Sequence, residues 1–253
     1  MNSLKLIALD NFPFVEPNDN LINLISSSIK ESNLKIDDGD VLVIAQKIVS
    51  KSENRYINLD TVEITSDVKE TASKLNKHPG FIQLIINESN KIISTEKNVI
   101  IVEHKLGYIN INAGIDQSNI PQEKNLVLLL PENPTKSAEY LQKGLSEIFN
   151  KDISVIISDS MTRPFRSGIT NFAISSSNLP SLLDLKGKKD MYGNVLKGTE
   201  VAIADELAAA AGLLMGQSKE SKPVILIKGF INEKYQVNNA FDLIVDEDED
   251  LYR

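Results

Sequence analysis

Cysteine is absent from the 253 residues. That removes disulfide frameworks, thiolate zinc sites, iron–sulfur clusters and cysteine nucleophiles. Histidine is almost absent too, with only His78 and His104. A histidine-rich metal centre is therefore excluded, a histidine-based triad has little to draw on, and both residues read as structural or exposed. A metal bound here must take oxygen ligands, which favours Mg²⁺, Mn²⁺ or Ca²⁺ over zinc or copper. No apolar run reaches the roughly 20 residues of a membrane span. The opening stretch Met1–Phe12 has no basic region followed by a long apolar core, so no signal peptide is expected and the cytoplasm is the expected location. The phosphate-loop pattern G-x-x-x-x-G-K-[ST] and the dinucleotide pattern G-x-G-x-x-G are both missing, so the standard nucleotide motifs give no support.

What is present is ordinary globular composition, 42% hydrophobic and 25% charged. At roughly 150 residues per domain the length suits one large domain or two small ones. Acidic residues outnumber basic ones 35 to 27, giving a net charge of −8 and no general footprint for nucleic acid. A local basic cluster or a bound cation can still reverse the field inside one cleft and admit an anionic small molecule. The acidic run Asp246–Asp250 reads as a solvated tail.

Strand-like and helix-like segments alternate, without internal repeats or low-complexity blocks. Leu4–Leu9, Val41–Ala45, Val99–Val102, Leu126–Leu130, Val155–Ile157 and Val224–Ile227 read as strands. Leu21, Leu24, Ile25 and Ile29 have helical spacing, with Asn18 or Asp19 as cap. Further helices are predicted from near Ser66, from near Pro79, after the cap Asn133-Pro134, and over Glu200–Met215, ending at Gly216. Gly193-Asn194 reads as a hairpin turn between Met191-Tyr192 and Val195-Leu196. Hairpins mixed with strand–helix units predict an α+β fold with mixed sheets.

Four segments combine residues suited to chemistry. The strand Val155–Ile157 is expected to end in a loop Asp159–Gly168, where Asp159 and Ser160 offer hard oxygen donors and Arg163 and Arg166 offer planar cations. A cation beside arginines suits phosphoryl transfer, whose demands are positioning and charge neutralisation. Asn112–Asn119 adds Asp116 as a further oxygen ligand and Asn119 as a hydrogen-bonding group. Ala45–Lys51 places Lys47 and Lys51 just beyond a buried strand. Gly216-Gln217-Ser218-Lys219 follows the Ala-rich helix as a loop able to approach phosphate. Each segment taken alone reads more readily as polar loop, Asx turn, solvated helix start or helix cap.

Together, in order, these segments resemble a known family. The resemblance runs from Asn11-Phe12-Pro13 through Gly39–Lys51, His78-Pro79, Asn112–Asn119 and Ser158–Gly168. It continues through Asp184–Gly187, Asp190–Gly193 and Thr199–Ala211 to Glu249–Tyr252. No one motif decides it, but the ordered set is highly specific and is similar to the coenzyme F420-0:L-glutamate ligases, also called F420 gamma-glutamyl ligases. The resemblance implies one catalytic unit over 1–253, built from two interleaved subdomains whose boundary the sequence does not mark, and a homodimer. It implies small-molecule substrates, namely F420-0, L-glutamate and GTP, with Mg²⁺ or Mn²⁺ required and K⁺ assisting. One glutamate would be joined by an amide bond and a second by a γ-link, with GDP and phosphate released. Asp116, Asp159, Ser160 and Gln217 match the metal positions. Asn11, Phe12, Pro13, Phe14, Gln46, Lys47, Lys51, Asn119 and the loop Met215, Gly216, Gln217, Ser218, Lys219, Glu220, Ser221 and Lys222 match the GTP positions. Lys51, Arg163 and Arg166 are expected to steady transferring or substrate charge.

The chain departs from the family pattern at several points. Relatives commonly read Gly-Arg-Pro-Trp-Arg-x-Gly-Gln-Thr-Asp where this chain has Thr162, Phe165, Ile169 and Asn171. They tend to have Gly at Asn11 and His-Gly at Leu106-Gly107. Two other readings therefore stand beside the first: a ligase on the same scaffold with another carboxylate acceptor, and a non-catalytic GTP-binding regulator.

Overall fold

A computed structural model describes residues 3–96, 98–230 and 236–252. In chain order the elements are β1 (Lys5–Ala8), α1 (Leu21–Glu31), β2 (Val41–Ala45), α2 (Gln46–Ser52), β3 (Tyr56–Asn58), α3 (Ser66–Leu75), α4 (Pro79–Asn87), β4 (Ser89–Glu96) and β5 (Val99–His104). They continue with β6 (Ile109–Ile111), β7 (Leu126–Leu128), α5 (Pro134–Phe149), β8 (Ser154–Arg163), β9 (Arg166–Ser177), β10 (Leu182–Asp184), β11 (Glu200–Ala202), α6 (Ile203–Met215) and β12 (Val224–Lys228).

The main sheet has five strands in the order β1-β12-β2-β8-β9. Only β2 and β8 run parallel; the other neighbours are antiparallel. The expected α+β fold with mixed sheets is what the chain adopts. The central strands are continuous apolar runs because helices cover both faces. Leu42, Ile44, Val155, Ile157, Val224 and Leu226 pack against α1 and α5. The alternate residues Val41, Val43, Ile156, Ile225 and Ile227 pack against the small side chains of α6, including Ala204, Ala208 and Ala211. Gly144 lets α5 touch α1 closely, since a Cβ there would lie 2.3 Å from Ile22 Cδ1. A further core joins Val68 and Ala72 of α3, Phe81, Ile82 and Ile85 of α4, Ile100 and Val102 of β5, and Val127 of β7. It is flanked by a three-stranded sheet, β4-β5-β6, and by the pair β3-β7.

The local signals account for most element ends. Asn133 Oδ1 accepts from Lys136 N at 3.0 Å, with Pro134 at the first helical position. His78 caps α4 through Nδ1, which accepts from Gly80 N at 3.1 Å, and His104 is buried. Both histidines are thus structural.

Four expectations need correction. The cap of α1 is Asn20, whose Oδ1 accepts from Asn23 N; Asn18 is left-handed, and Asp19 instead binds Glu16 N. The helix predicted over Glu200–Met215 begins only at Ile203, because Glu200–Ala202 pairs with β10. The strand at Val155–Ile157 does not end at Asp159; β8 continues to Arg163 because β9 pairs with it along that length. The turn expected at Gly193-Asn194 does form: Asp190 accepts from Tyr192 N and Asn194 N, Lys189 bridges Val195 antiparallel, and Leu196 N donates to Lys188 O. The acidic C-terminal run is not simply solvated: Glu247 pairs with Lys91 at 2.6 Å, and the following Tyr252 lies 6.1 Å from the Phe165 ring.

Candidate functional site

The site begins where β2 passes directly into α2. Gln46 is buried at this junction and both ends of its amide are used. Nε2 donates to Asp116 Oδ2 at 2.8 Å, while Oε1 accepts from Ser50 Oγ one helical turn on, at 2.9 Å. Lys47, the next residue, meets the other Asp116 oxygen at 3.0 Å and donates to Ser118 O, also at 3.0 Å. Asp116 is fixed by its backbone as well, through reciprocal bonds with Leu128. The left-handed residues Asn112 and Ala113 turn the chain out of β6 into this segment.

Asp159 approaches from β8. Burial raises its pKa most, the Asp116 carboxylate adds to the rise, and together they bring it to about 7 despite the opposing Lys47 charge and contacts from Ser160 N and Asn110. Asn110 Nδ2 stands 3.5 Å from Asp159 Oδ2. Ser160 pairs with Asn171 of β9, and Asn171 Oδ1 accepts from Gln217 Nε2 at 2.7 Å. The structure places Asp159 and Ser160 in the part of β8 just past the end of β2, Gln217 just past the end of α6, and Asp116 in its turn, with Asn171 and Asn110 bridging between them.

Their chemistry fits a hard divalent cation. The Asp116 charge raises the cost of ionising Asp159, which a cation between the two carboxylates would relieve, and Ser160 and Gln217 offer neutral oxygens. Among the described residues no group of three His, Cys, Asp or Glu converges, so a cation here would rely on Ser160 and Gln217 beside the two carboxylates.

The expected nucleotide segments adjoin this cluster. Asn119 Nδ2 donates to Ser218 O at 2.9 Å, tying the Asp116 turn to the loop after α6. Lys222 pairs with Asp10 at 3.3 Å, tying that loop to the segment holding Asn11–Phe14. Lys51 is half-buried, and burial followed by the Lys47 charge lowers its pKa. Phe14 is 87% exposed, whereas Phe12 and Met215 lie in the core and have no side chain to offer a ligand. Pro13, Ser218, Lys219, Glu220 and Ser221 are exposed, and Gly216 has φ +69°.

Arg163 and Arg166 are not brought into the cluster. They pair with each other at the β8–β9 hairpin tip, where Arg163 Nη1 reaches Gly168 O at 3.4 Å. Arg163 lies three residues along the strand from Ser160, about 10 Å. Sequence reasoning passed over Asn110, Ser50 and Asp205 and read Asn171 only as a departure. Their signal was weak, because which polar side chain of each element meets the site depends on partners from other elements.

A mixed sheet covered by helices, with Asp116 and Asp159 beside lysines where β2 ends, defines an α+β protein with an acidic, lysine-flanked site. The chain belongs to the F420-0:gamma-glutamyl ligase family, whose sequence profile matches residues 11–229. It is similar to the coenzyme F420:L-glutamate ligase of Methanocaldococcus jannaschii, with 42% identity covering 86% of each chain. The protein of that name from Methanococcus maripaludis strain S2 is 39% identical over 99% of this chain and 97% of its own. That from Archaeoglobus fulgidus is 35% identical, covering 89% and 88%. Among the described residues no helix is long and apolar enough to cross a membrane.

Proposed function

We propose that this protein joins L-glutamate to coenzyme F420-0 at the expense of GTP, forming first an amide and then a γ-linked second glutamate. A carboxylate oxygen of F420-0 attacks the γ-phosphorus, the bond to GDP breaks, and an acyl phosphate forms. The glutamate amine then attacks the acyl carbon, phosphate leaves, and the amine gives up a proton. The observation that supports this reading is the convergence of Asp116 and Asp159 beside Lys47 and Lys51, in a chain whose relatives are named coenzyme F420:L-glutamate ligases.

In this reading Asp116, Asp159, Ser160 and Gln217 hold Mg²⁺ or Mn²⁺, which supplies charge neutralisation for the triphosphate. Lys47 and Lys51 meet phosphate oxygens as point charges. Gln46 and the Asn119–Ser218 contact keep the Asp116 turn and the loop Met215–Lys222 in register with the nucleotide. Arg163 and Arg166, on the hairpin tip, hold substrate carboxylate or phosphate once it is bound. K⁺ assists, the protein acts as a homodimer, and it works in the cytoplasm on small molecules with no nucleic acid or membrane partner.

The test is mass spectrometry after incubation with F420-0, L-glutamate, GTP and Mn²⁺. The expected product is heavier by one or two glutamyl units and requires GTP, and Asp159→Asn abolishes it. No mass change, with metal-dependent GTP binding intact, would move the protein to another carboxylate acceptor or to a regulatory role.

A further inference from the structure

Gln217 is a side-chain amide, so it offers a cation its Oε1 only when the amide faces the right way. A free amide turns over easily, and its NH₂ end repels a cation. Here the NH₂ end is engaged: Nε2 donates to Asn171 Oδ1 at 2.7 Å. We propose that Asn171 is a positioning residue, which holds the Gln217 amide so that Oε1 is presented to the cation and Nε2 is kept away from it. This rests on the reading that Gln217 is a metal ligand.

The rest of the structure holds Asn171 in one state. Its side chain is buried, and its own Nδ2 donates to Met215 Sδ at 3.6 Å. Ser158 Oγ approaches the same sulfur at 3.8 Å, so both amide ends of Asn171 are committed and it cannot flip without losing contacts. Gly212 of α6 leaves the necessary room, since a Cβ there would come within 2.8 Å of Asn171 Cγ and Oδ1.

The placement of Asn171 depends on a β-bulge. Ile157 pairs with Ser175 but Ser158 pairs with Ala173, leaving Ile174 as an extra residue on β9. Asp205, in the first turn of α6, anchors this region by accepting from Ala173 N at 2.8 Å. Without the bulge Ser160 would face Phe172, and Asn171 would face Met161. With it, Asn171 faces Ser160 on the side of the sheet covered by α6, within reach of Gln217. Outer partners of this kind orient ligands, and their loss typically lowers metal affinity about 10- to 100-fold.

The test measures Mn²⁺ affinity of the full-length protein without nucleotide, by electron paramagnetic resonance and calorimetry, so that turnover is not the readout. Asn171→Leu keeps the volume but removes the acceptor; Asn171→Ala serves if the leucine variant does not fold. Asn171→Asp restores an acceptor for Gln217 Nε2. Gln217→Leu and the Asn171→Leu/Gln217→Leu double variant complete a cycle. The expected result is a loss of about 10-fold or more in Asn171→Leu, matching Gln217→Leu, no further loss in the double variant, and affinity within a few-fold of wild type in Asn171→Asp. Wild-type affinity in Asn171→Leu with weakened Gln217→Leu, or losses that add fully in the double variant, would overturn the positioning role alone. Wild-type affinity in Gln217→Leu would instead overturn the ligand assignment and the proposal with it.

Discussion

Lys47 Nζ lies 3.0 Å from Asp116 Oδ1, so the lysine occupies the carboxylate that a cation would need. Both side chains are about one-quarter exposed, at 23% each, so the pair is modest in strength, about 1 kcal/mol. A divalent cation at Asp116 competes with Lys47 and releases its ammonium toward anionic ligands. Lys47→Met is therefore expected to bind Mn²⁺ about three- to tenfold more tightly without nucleotide, while binding GTP more weakly. Calorimetry with each ligand separately checks both directions. Weaker Mn²⁺ binding in Lys47→Met would contradict the competition.

Asp159 couples this pair to stability. Its folded pKa of about 7 lies above the unfolded carboxylate value of 3.8, chiefly through burial. The protonated form is favoured by folding, so its contribution is full below about pH 4 and is lost as pH rises through about 7. Asp159→Asn removes that loss. Without metal, the variant is expected to be more stable than wild type at pH 8 by about 1–3 kcal/mol, with the difference closing toward pH 4, even though it no longer binds Mn²⁺. Urea denaturation with a chelator at both ends of the range measures this. A difference that does not change with pH would count against it.

His104 gives an acid-side effect of opposite sign. It is buried against Tyr108, with ring centroids 5.6 Å apart, and Nδ1 accepts from Leu106 N. Burial, then Lys105 and Arg55, lowers its pKa to about 4 from 6.5. The unfolded chain takes up the proton first, so stability falls as pH drops from about 6.5 to about 4. His104→Asn can keep an acceptor for Leu106 N but does not titrate. The wild type is expected to lose about 2 kcal/mol more than this variant over that interval. Parallel denaturation curves at pH 7 and pH 4.5 decide it.

Gly212 sets two magnitudes against each other. Gly→Ala in a helix ordinarily gains up to about 1 kcal/mol. Here the new methyl would strike buried Asn171 at 2.8 Å, and overpacking of this kind costs about 1–3 kcal/mol. Gly212→Ala is expected to be destabilised by about 1 kcal/mol net and to lose Mn²⁺ affinity, as Asn171→Leu does. A more stable variant with unchanged affinity would show that Asn171 yields freely.

Much of this molecule is legible along the chain. Val41–Ala45 reads as a strand because its residues are buried on both faces, and Asn133-Pro134 starts a helix by chemistry confined to a few residues. Asp116, Asp159, Ser160 and Gln217 are named by matching an ordered set of segments. The continuation of β8 past Asp159 was not legible, because it depends on β9, whose polar residues do not announce a strand. The start of α6 was hidden for the same reason: Glu200–Ala202 is helix-compatible until β10 pairs with it.

The sequence by itself determined the kind of chemistry open to this protein. With no cysteine and two histidines, only oxygen ligands remain for a metal, and the apolar runs and caps are local signals that need no partner. Tertiary structure alone decided which polar residues meet. Gln46 reaches Asp116 across 70 residues and Gln217 reaches Asn171 across 46, and nothing local encodes either contact. The bulge at Ile174 moves β9 by one residue and thereby chooses Asn171 over Phe172 as the partner of Ser160. A strand presents its side chains with a period of two, so that single shift, anchored by Asp205 from another element, sets which group faces the site.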